Sequence, residues 1–139
     1  MPYQWRLDGN LVRTAATGVL TAEEAALCLI EVAAAERARR TAANRLTDLR
    51  RVTEIAMDYR DVRGLAERRK ALAVAPGTKT AFLVSNAVQY GMVRMFQTLL
   101  DGSGIVVGIL SDEDAALAWL ADPTMTAPSG GRPQLDPST

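Results

Sequence analysis

The spacing of apolar and polar residues changes several times along the chain, and the first changes predict a pair of strands. Over residues 3–8 apolar and polar side chains alternate, which is typical of a strand with one exposed face. Asp8-Gly9-Asn10 is a hairpin turn signal. The apolar run of residues 11–20 then predicts a second strand, in which Gly18 indicates a bulge or a close backbone approach.

A capping box predicts the first helix. Thr21 and Glu24 stand three residues apart, so each side chain can satisfy the backbone N–H of the other residue. We expect the helix to reach about Arg39 and to bury a stripe formed by Ala26, Leu29, Ile30 and Ala33. Cys28, the only cysteine, lies in this helix. We interpret it as a small buried residue, because the sequence has no histidine to activate a thiolate.

A short third strand and a second helix follow. Residues 45–49 predict the strand, residues 50–54 a polar junction, and the helix begins near Thr53 or is capped by Asp58. Pro76-Gly77 ends this unit. The expected inner face comprises Ile55, Tyr59, Val62, Ala66 and Ala73, with Leu65 and Leu72 beside it. The basic residues interleave with acidic ones and are interpreted as a solvated face: Arg60, Arg63, Arg68, Arg69 and Lys70.

The second half of the chain alternates strands and helices with very short connections. Residues 79–85 and 105–110 are apolar runs that predict strands covered on both faces. Residues 87–100 predict a helix between them, and Ser111, with Asp114 three residues later, predicts the cap of a last helix. The order β-β-α-β-α-β-α-β-α therefore predicts an α/β fold with a mixed, mostly parallel five-stranded sheet and an antiparallel first strand.

The third helix carries more apolar surface than one sheet can cover. Two neighbouring stripes are apolar: Tyr90, Val93, Phe96 and Leu100 form one, and Val88, Met92, Met95 and Leu99 form the other. The second stripe has three interpretations, namely core packing, a homodimer interface and a small apolar-ligand pocket. The candidate residues for an interface or pocket are Val88, Met92, Met95, Phe96 and Leu99.

Composition and charge make several classes of function improbable. Among 139 residues the acidic and basic side chains are equal in number, so the chain lacks the basic excess of nucleic-acid-binding proteins. Without histidine and with one cysteine, we expect no metal, no cofactor and no disulfide. No leader and no membrane-length apolar run is visible, so we expect a cytoplasmic protein without membrane insertion. We expect one domain over residues 1–122 and a disordered Pro-, Ser- and Gly-rich tail over 123–139.

Three segments, residues 79–84, 90–96 and 112–120, resemble the SpoIIAA-like branch of the STAS (sulfate transporter and anti-sigma factor antagonist) superfamily. The resemblance covers about residues 3–121 in element order. It implies a β-α superhelix with its strands in sequential order. It also implies a non-enzymatic domain that acts through protein association, with a regulatory role. Some members of this branch look instead like small apolar-ligand or lipid-binding domains, which is the alternative function.

The polar junction supplies a second set of candidates, Asp48, Arg50, Arg51 and Thr53. Classical members of the superfamily are phosphorylated between the third strand and second helix, in an Asp-Ser-Ser-Gly-type motif. This chain departs from that motif, and Thr53 is the nearest hydroxyl, interpreted as a helix cap. The two arginines beside a helix N-terminus are a candidate anion or partner site, against the alternative of two solvated side chains.

Catalysis is not assigned to any residue. An enzyme on this sheet would need Asp48, Arg50 and Ser85 to converge at the strand ends. The Gly-rich segment of residues 101–104 follows a helix and opens a strand, the reverse of a nucleotide-binding loop, so we interpret it as a turn.

Overall fold

Five strands and four helices follow one another in the predicted order. The computed structural model describes residues 3–39, 43–72 and 77–122. The elements are β1 (Tyr3–Asp8), β2 (Leu11–Thr21), α1 (Ala22–Arg39), β3 (Asn44–Ala56), α2 (Tyr59–Ala71), β4 (Lys79–Leu83), α3 (Ala87–Leu99), β5 (Val106–Leu110) and α4 (Glu113–Ala121). The predictions made for Ala73 and for the tail at 123–139 lie outside the described residues.

The sheet has its strands in sequential order, β1-β2-β3-β4-β5. β1 pairs antiparallel with β2, and the other three pairings are parallel. The predicted α/β class, with a mixed and mostly parallel five-stranded sheet, is confirmed. Short connections explain the order, because each helix returns the chain to the edge of the strand that it has just left.

The helices are divided unequally between the two faces of the sheet. α1, α2 and α3 pack on one face, here called the helical face, and their core includes Leu49, Val62 and Val93. α4 packs on the other face through Ala116, Trp119 and Leu120, which meet Leu46, Ala81 and Leu83. α4 lies over β3, β4 and β5 and does not cover β1 and β2. On this side of the sheet β1 and β2 therefore carry polar side chains, such as Gln4 and Arg13.

β3 is longer than the sequence pattern predicts. It continues to Ala56, because residues 51–56 pair in parallel with residues 17–21 of β2. Two register shifts interrupt this pairing, and one of them lies at Gly18, whose φ of 70° confirms the bulge predicted there. The interpretation of residues 50–54 as a junction beside a helix is therefore wrong. Arg50, Arg51 and Thr53 lie inside a strand, so Thr53 is not a helix cap.

The helix starts were predicted with mixed success. Asp58 caps α2, one of the two alternatives, and forms a capping box with Asp61. The Thr21–Glu24 capping box is present at the start of α1. α4 begins one residue later than expected, since Asp112 and not Ser111 accepts the capping hydrogen bond, from the Ala115 N–H at 2.8 Å.

The buried faces of α1 and α2 differ from the predicted stripes. In α1 the buried residues are Val32, Ala33 and Glu36, whereas Ile30 is exposed, because the second half of α1 lies closest to the sheet. In α2 Tyr59 is exposed, and the buried residues are Val62, Leu65, Ala66 and Arg69. The interpretation of Arg69 as part of a solvated face is therefore wrong.

Candidate functional site

A cavity of about 110 Å³ lies between the helical face of the sheet and α1, α2 and α3. Its floor is formed by β2, β3 and β4, and its walls come from the three helices. The lining is mainly apolar, and it includes Leu20, Leu29, Leu49, Met57, Leu65, Phe82, Met92, Val93 and Phe96. Such a concave, apolar space with a few polar groups is typical of a small-molecule site.

α3 places its aromatic and thioether side chains at this cavity. Phe96 is buried and meets Phe82 edge to face, with 5.8 Å between the ring centroids. Met92 is half-buried and lines the same space. The five candidate residues of α3 thus separate, because Met95 and Leu99 are half-buried against the core and Val88 is 69% exposed. The surplus apolar surface faces inward at Met92 and Phe96 and outward at Val88.

Part of the floor of the cavity is polar and charged. Arg45 and Thr80 are paired in register on β3 and β4, and both are buried cavity residues. Arg45 Nη2 donates to Glu36 Oε1 at 2.7 Å, and Glu36 Oε2 accepts the Ala43 N–H at 3.1 Å. This is a buried ion pair whose acid comes from α1 and whose base comes from the sheet.

Arg69 brings a second buried guanidinium to the cavity from α2. Burial lowers the pKa of Arg69 to about 10, and the positive charge of Arg45 adds to that effect, while Glu36 opposes it. Among the described residues no carboxylate oxygen lies within 4.0 Å of an Arg69 guanidinium nitrogen, the limit for an ion pair. Sequence reasoning missed this residue, because an arginine among charged neighbours carries the pattern of a solvated helix face.

Cys28 also lines the cavity, and it is half-buried. Burial raises the pKa of its thiol to about 11, although a hydrogen bond with Thr14 and the charge of Arg45 act in the opposite direction. The thiol is therefore protonated at neutral pH. Its place beside the apolar wall agrees with its interpretation as a small packing residue.

A second polar cluster lies on the α4 face, and it contains two of the four residues predicted at the junction. Arg50 Nε and Nη2 donate to the two carboxylate oxygens of Asp48 at 3.0 and 2.9 Å. Arg50 also lies 3.7 Å from Glu113, and Glu113 accepts from Arg13 Nη2 at 2.6 Å. Burial raises the pKa of Asp48, but the hydrogen bonds and charge of Arg50 outweigh burial and hold that pKa below its usual value.

The cluster has its charges matched within itself. Its two arginines face two carboxylates, which leaves little unpaired positive charge for an anion. Arg51 and Thr53 are exposed residues of β3 and take no part in these contacts. The structure therefore brings Asp48 and Arg50 into direct contact, with Arg51 lining the same surface pocket, and leaves Thr53 outside that pocket. An anion or partner role for this region stays a prediction.

Ser85 lies beside β3, where its hydroxyl forms hydrogen bonds that hold the fold together. Its hydroxyl bonds to the Arg50 backbone carbonyl at 3.1 Å and to Gln89 Oε1 at 3.3 Å. Within the described part of the chain, neither contact supplies the basic group that would activate a serine nucleophile. In the same part of the chain, no group of three Asp, Glu or Cys side chains is arranged to hold a metal ion.

Comparison with known proteins gives a likeness in fold. No protein-family model matches the sequence, and no curated protein matches it significantly. A solved structure from Shewanella loihica, an uncharacterized protein from the DUF3478 family with a SpoIIAA-like fold, is similar to this chain with a TM-score of 0.53. The two chains are 17% identical, and the match covers 86% of this chain and 92% of the other. At this identity the likeness concerns the fold.

None of the described helices combines the length and apolar character that a membrane span requires. α1 is the longest at 18 residues and carries charged residues in its first and last turns.

Proposed function

Since the chain has a SpoIIAA-like fold, we propose that it is a non-enzymatic, cytoplasmic domain that binds a small and largely apolar molecule between its sheet and α1, α2 and α3. The observation that carries this proposal is the cavity at which Met92 and Phe96 of α3 meet the sheet. In this interpretation the surplus apolar residues of α3 line a ligand site. The arrangement favours the pocket over simple core packing, because a packed core leaves few spaces of this size.

The volume of the cavity limits the size of the molecule. An engineered apolar cavity of about 150 Å³ stays dry and binds benzene. A space of about 110 Å³ therefore suits one small ring or a short chain, and is too small for a whole lipid. Met57 and Met92 are half-buried at its wall, and flexible thioether side chains can adapt to a molecule of slightly larger size.

Filling the cavity provides the test. Ala25 lines it from α1, so Ala25→Leu should occupy its space, whereas Ala34→Leu on an exposed position of the same helix is a matched control. We would label the methionine methyl groups with ¹³C and titrate benzyl alcohol at millimolar concentration. We expect the Met57 and Met92 signals to shift in the wild type and the control and to stay unchanged in Ala25→Leu. Met95 does not line the cavity and serves as an internal reference.

Two results would contradict the pocket. One is a wild-type spectrum in which Met57 and Met92 do not respond to the probe. The other is an Ala25→Leu variant that responds as the wild type does.

A second candidate function is protein association, in which the domain acts through a homodimer or a regulatory partner. Val88 favours it, because a valine that is 69% exposed in the first turn of α3 is the most exposed large apolar side chain of the described residues. If a homodimer forms there, Val88→Asp should convert it to a folded monomer, since an acidic residue suits a helix N-terminus. Sedimentation velocity checks this, and a wild type that is monomeric at every concentration would exclude the homodimer.

A further inference from the structure

At the polar end of the cavity the buried side chains carry an excess of one positive charge, whereas Glu24, which also lines the cavity, is only half-buried and bonds to Thr21 at the start of α1. Arg45 and Arg69 are both 5% exposed, and Glu36 at 4% is the buried carboxylate that faces them. Glu36 is already used, because one oxygen pairs with Arg45 and the other accepts the Ala43 N–H. The positive charge of Arg69 is therefore not neutralised by direct contact with any acidic residue in the described ranges. An uncompensated buried charge is costly, and proteins normally pair it.

Two buried donors at the same floor lack partners as well. Within the described ranges, Arg45 Nε and Thr80 Oγ1 are buried side-chain atoms that form no hydrogen bond. The two residues are paired in register across β3 and β4, and both line the cavity beside Arg69. Most buried polar atoms in proteins are hydrogen-bonded, so two unpaired donors on neighbouring residues that line one cavity indicate a group that accepts from them.

We propose that the ligand of this cavity is a small monocarboxylate with an apolar body, an inference that rests on the proposed function. Its carboxylate meets the Arg69 guanidinium, Arg45 Nε and the Thr80 hydroxyl at the floor. One negative charge balances the excess positive charge of the floor, and a carboxylate offers about four lone-pair sites to these donors. A dianion would leave a buried negative charge unbalanced. An uncharged molecule would leave the positive charge of Arg69 without a partner of opposite charge.

The apolar body of the ligand has its own place. Phe82, Phe96 and Met92 lie on the apolar wall of the same cavity. A ring or short chain there would remain in contact with apolar side chains while its carboxylate reaches the sheet. The cavity thus has one polar end and one apolar end, as a carboxylic acid of this size does.

The test compares two probes of similar size that differ in charge, benzoate and benzyl alcohol, at neutral pH. Binding is followed by the ¹³C methyl signals of Met57 and Met92. We expect benzoate to bind the wild type at least about tenfold more tightly, because hydrogen bonds to a charged group contribute that much. Arg69→Met should remove this preference and keep the binding of benzyl alcohol. Arg68→Met, an exposed neighbour on the same helix, should keep the preference.

Each outcome decides a separate point. Equal affinity of the wild type for both probes overturns the carboxylate inference and leaves the proposed pocket standing. If neither probe moves the two methyl signals, the pocket itself is wrong. An Arg69→Met variant that still prefers benzoate also overturns the inference. Should Arg69→Met fail to fold, Thr80→Val keeps the side-chain shape and should weaken benzoate alone; unchanged selectivity in that variant counts against the carboxylate site.

Discussion

Arg69 shows how one side chain can be costly to the fold and useful to a site. Its pKa is lowered to about 10, mainly by burial. A basic group whose pKa is lower in the folded state destabilises the protein while it is protonated, so this cost is present throughout the neutral range. Strongly shifted groups that line a cavity are often functional residues. The ligand proposed above would offset the cost by supplying the missing negative charge.

Gln89 is a polar side chain that is buried like Arg69, but its side-chain amide has hydrogen-bond partners. It is 1% exposed, and its amide donates to the Val52 carbonyl at 3.0 Å and accepts from the Ser85 N–H at 2.7 Å. Beyond Asp48, β3 has no pairing with β4, and this side chain therefore bonds the backbone that β4 leaves open. The sequence pattern showed it as one polar residue of a surface helix.

We predict that Gln89→Leu destabilises the protein by about 2 kcal/mol, because the buried Val52 carbonyl and the partly buried Ser85 amide lose their partner. Urea unfolding monitored by circular dichroism measures the change in the free energy of unfolding. Gln97→Leu is the matched control, since Gln97 donates to the Val107 carbonyl at 2.7 Å from a half-exposed position and should cost less. Equal losses in the two variants would show that burial does not explain the role of Gln89.

α4 illustrates stabilisation at the level of an element. The Lys79 ammonium is buried beneath it, donates to the Trp119 carbonyl at 2.9 Å and to the Asp122 carbonyl, and lies 4.9 Å from the centre of the Trp119 ring. Carbonyl groups at the C-terminal end of a helix lack intrahelical partners and carry partial negative charge. A cation on β4 thus fixes the C-terminal end of the only described helix on that face of the sheet, while Asp112 caps its other end.

Element order and type followed from the sequence, because each element has a local signal. The capping boxes, the turn at 8–10 and the change between alternating and helical periodicity are all local features. The second half of β3 lacks such a signal. Its residues are mostly exposed, and they form a strand because β2 offers them a pairing edge across a bulge at Gly18. Distant pairing of this kind cannot be inferred from local periodicity.

The candidate site was predictable in its apolar half. Met92 and Phe96 were identified because an excess of apolar residues on one helix requires a cover, and both line the cavity. Arg45, Arg69 and Thr80 were not identified, since a charged or hydroxyl side chain is usually exposed. Their burial results from where β3, β4 and α2 meet in the folded molecule, which the sequence of each element does not specify.

The whole molecule distributes its charges differently on the two sides of the sheet. The cluster of Arg13, Asp48, Arg50 and Glu113 on the α4 face is internally matched. At the cavity on the helical face, two buried arginines lie near one buried glutamate. Although the net charge of the chain is zero, the buried charges at the cavity therefore sum to one positive charge. This contrast is why we place the anion site beneath α1 and α2.

The same distribution predicts how the stability of the molecule depends on pH. The chain has no histidine, so stability should change little between about pH 6 and 8. Burial raises the pKa of Cys28 to about 11, so stability should fall as the pH rises through the lower pKa of the unfolded thiol. Asp48 has a pKa below its usual value of 3.8, so the stability that it contributes is present above that value. This contribution is lost as the pH falls through the lower, folded-state pKa.

Comparison of the wild type with Asp48→Asn tests whether the stabilisation by Asp48 is lost as the pH falls. At pH 7 the variant should be less stable by up to about 1 kcal/mol, a small value because the paired side chains of Asp48 and Arg50 are 27% and 35% exposed. The difference should shrink towards zero as the pH falls through the lowered folded-state pKa of Asp48, because both forms then lack the carboxylate charge. Urea midpoints at several pH values measure it, with Asp101→Asn, in an exposed turn, as the control that should follow the wild type. A difference that stays constant down to the lowest pH would show that Asp48 stabilises the fold through its shape, and that its charge contributes nothing measurable.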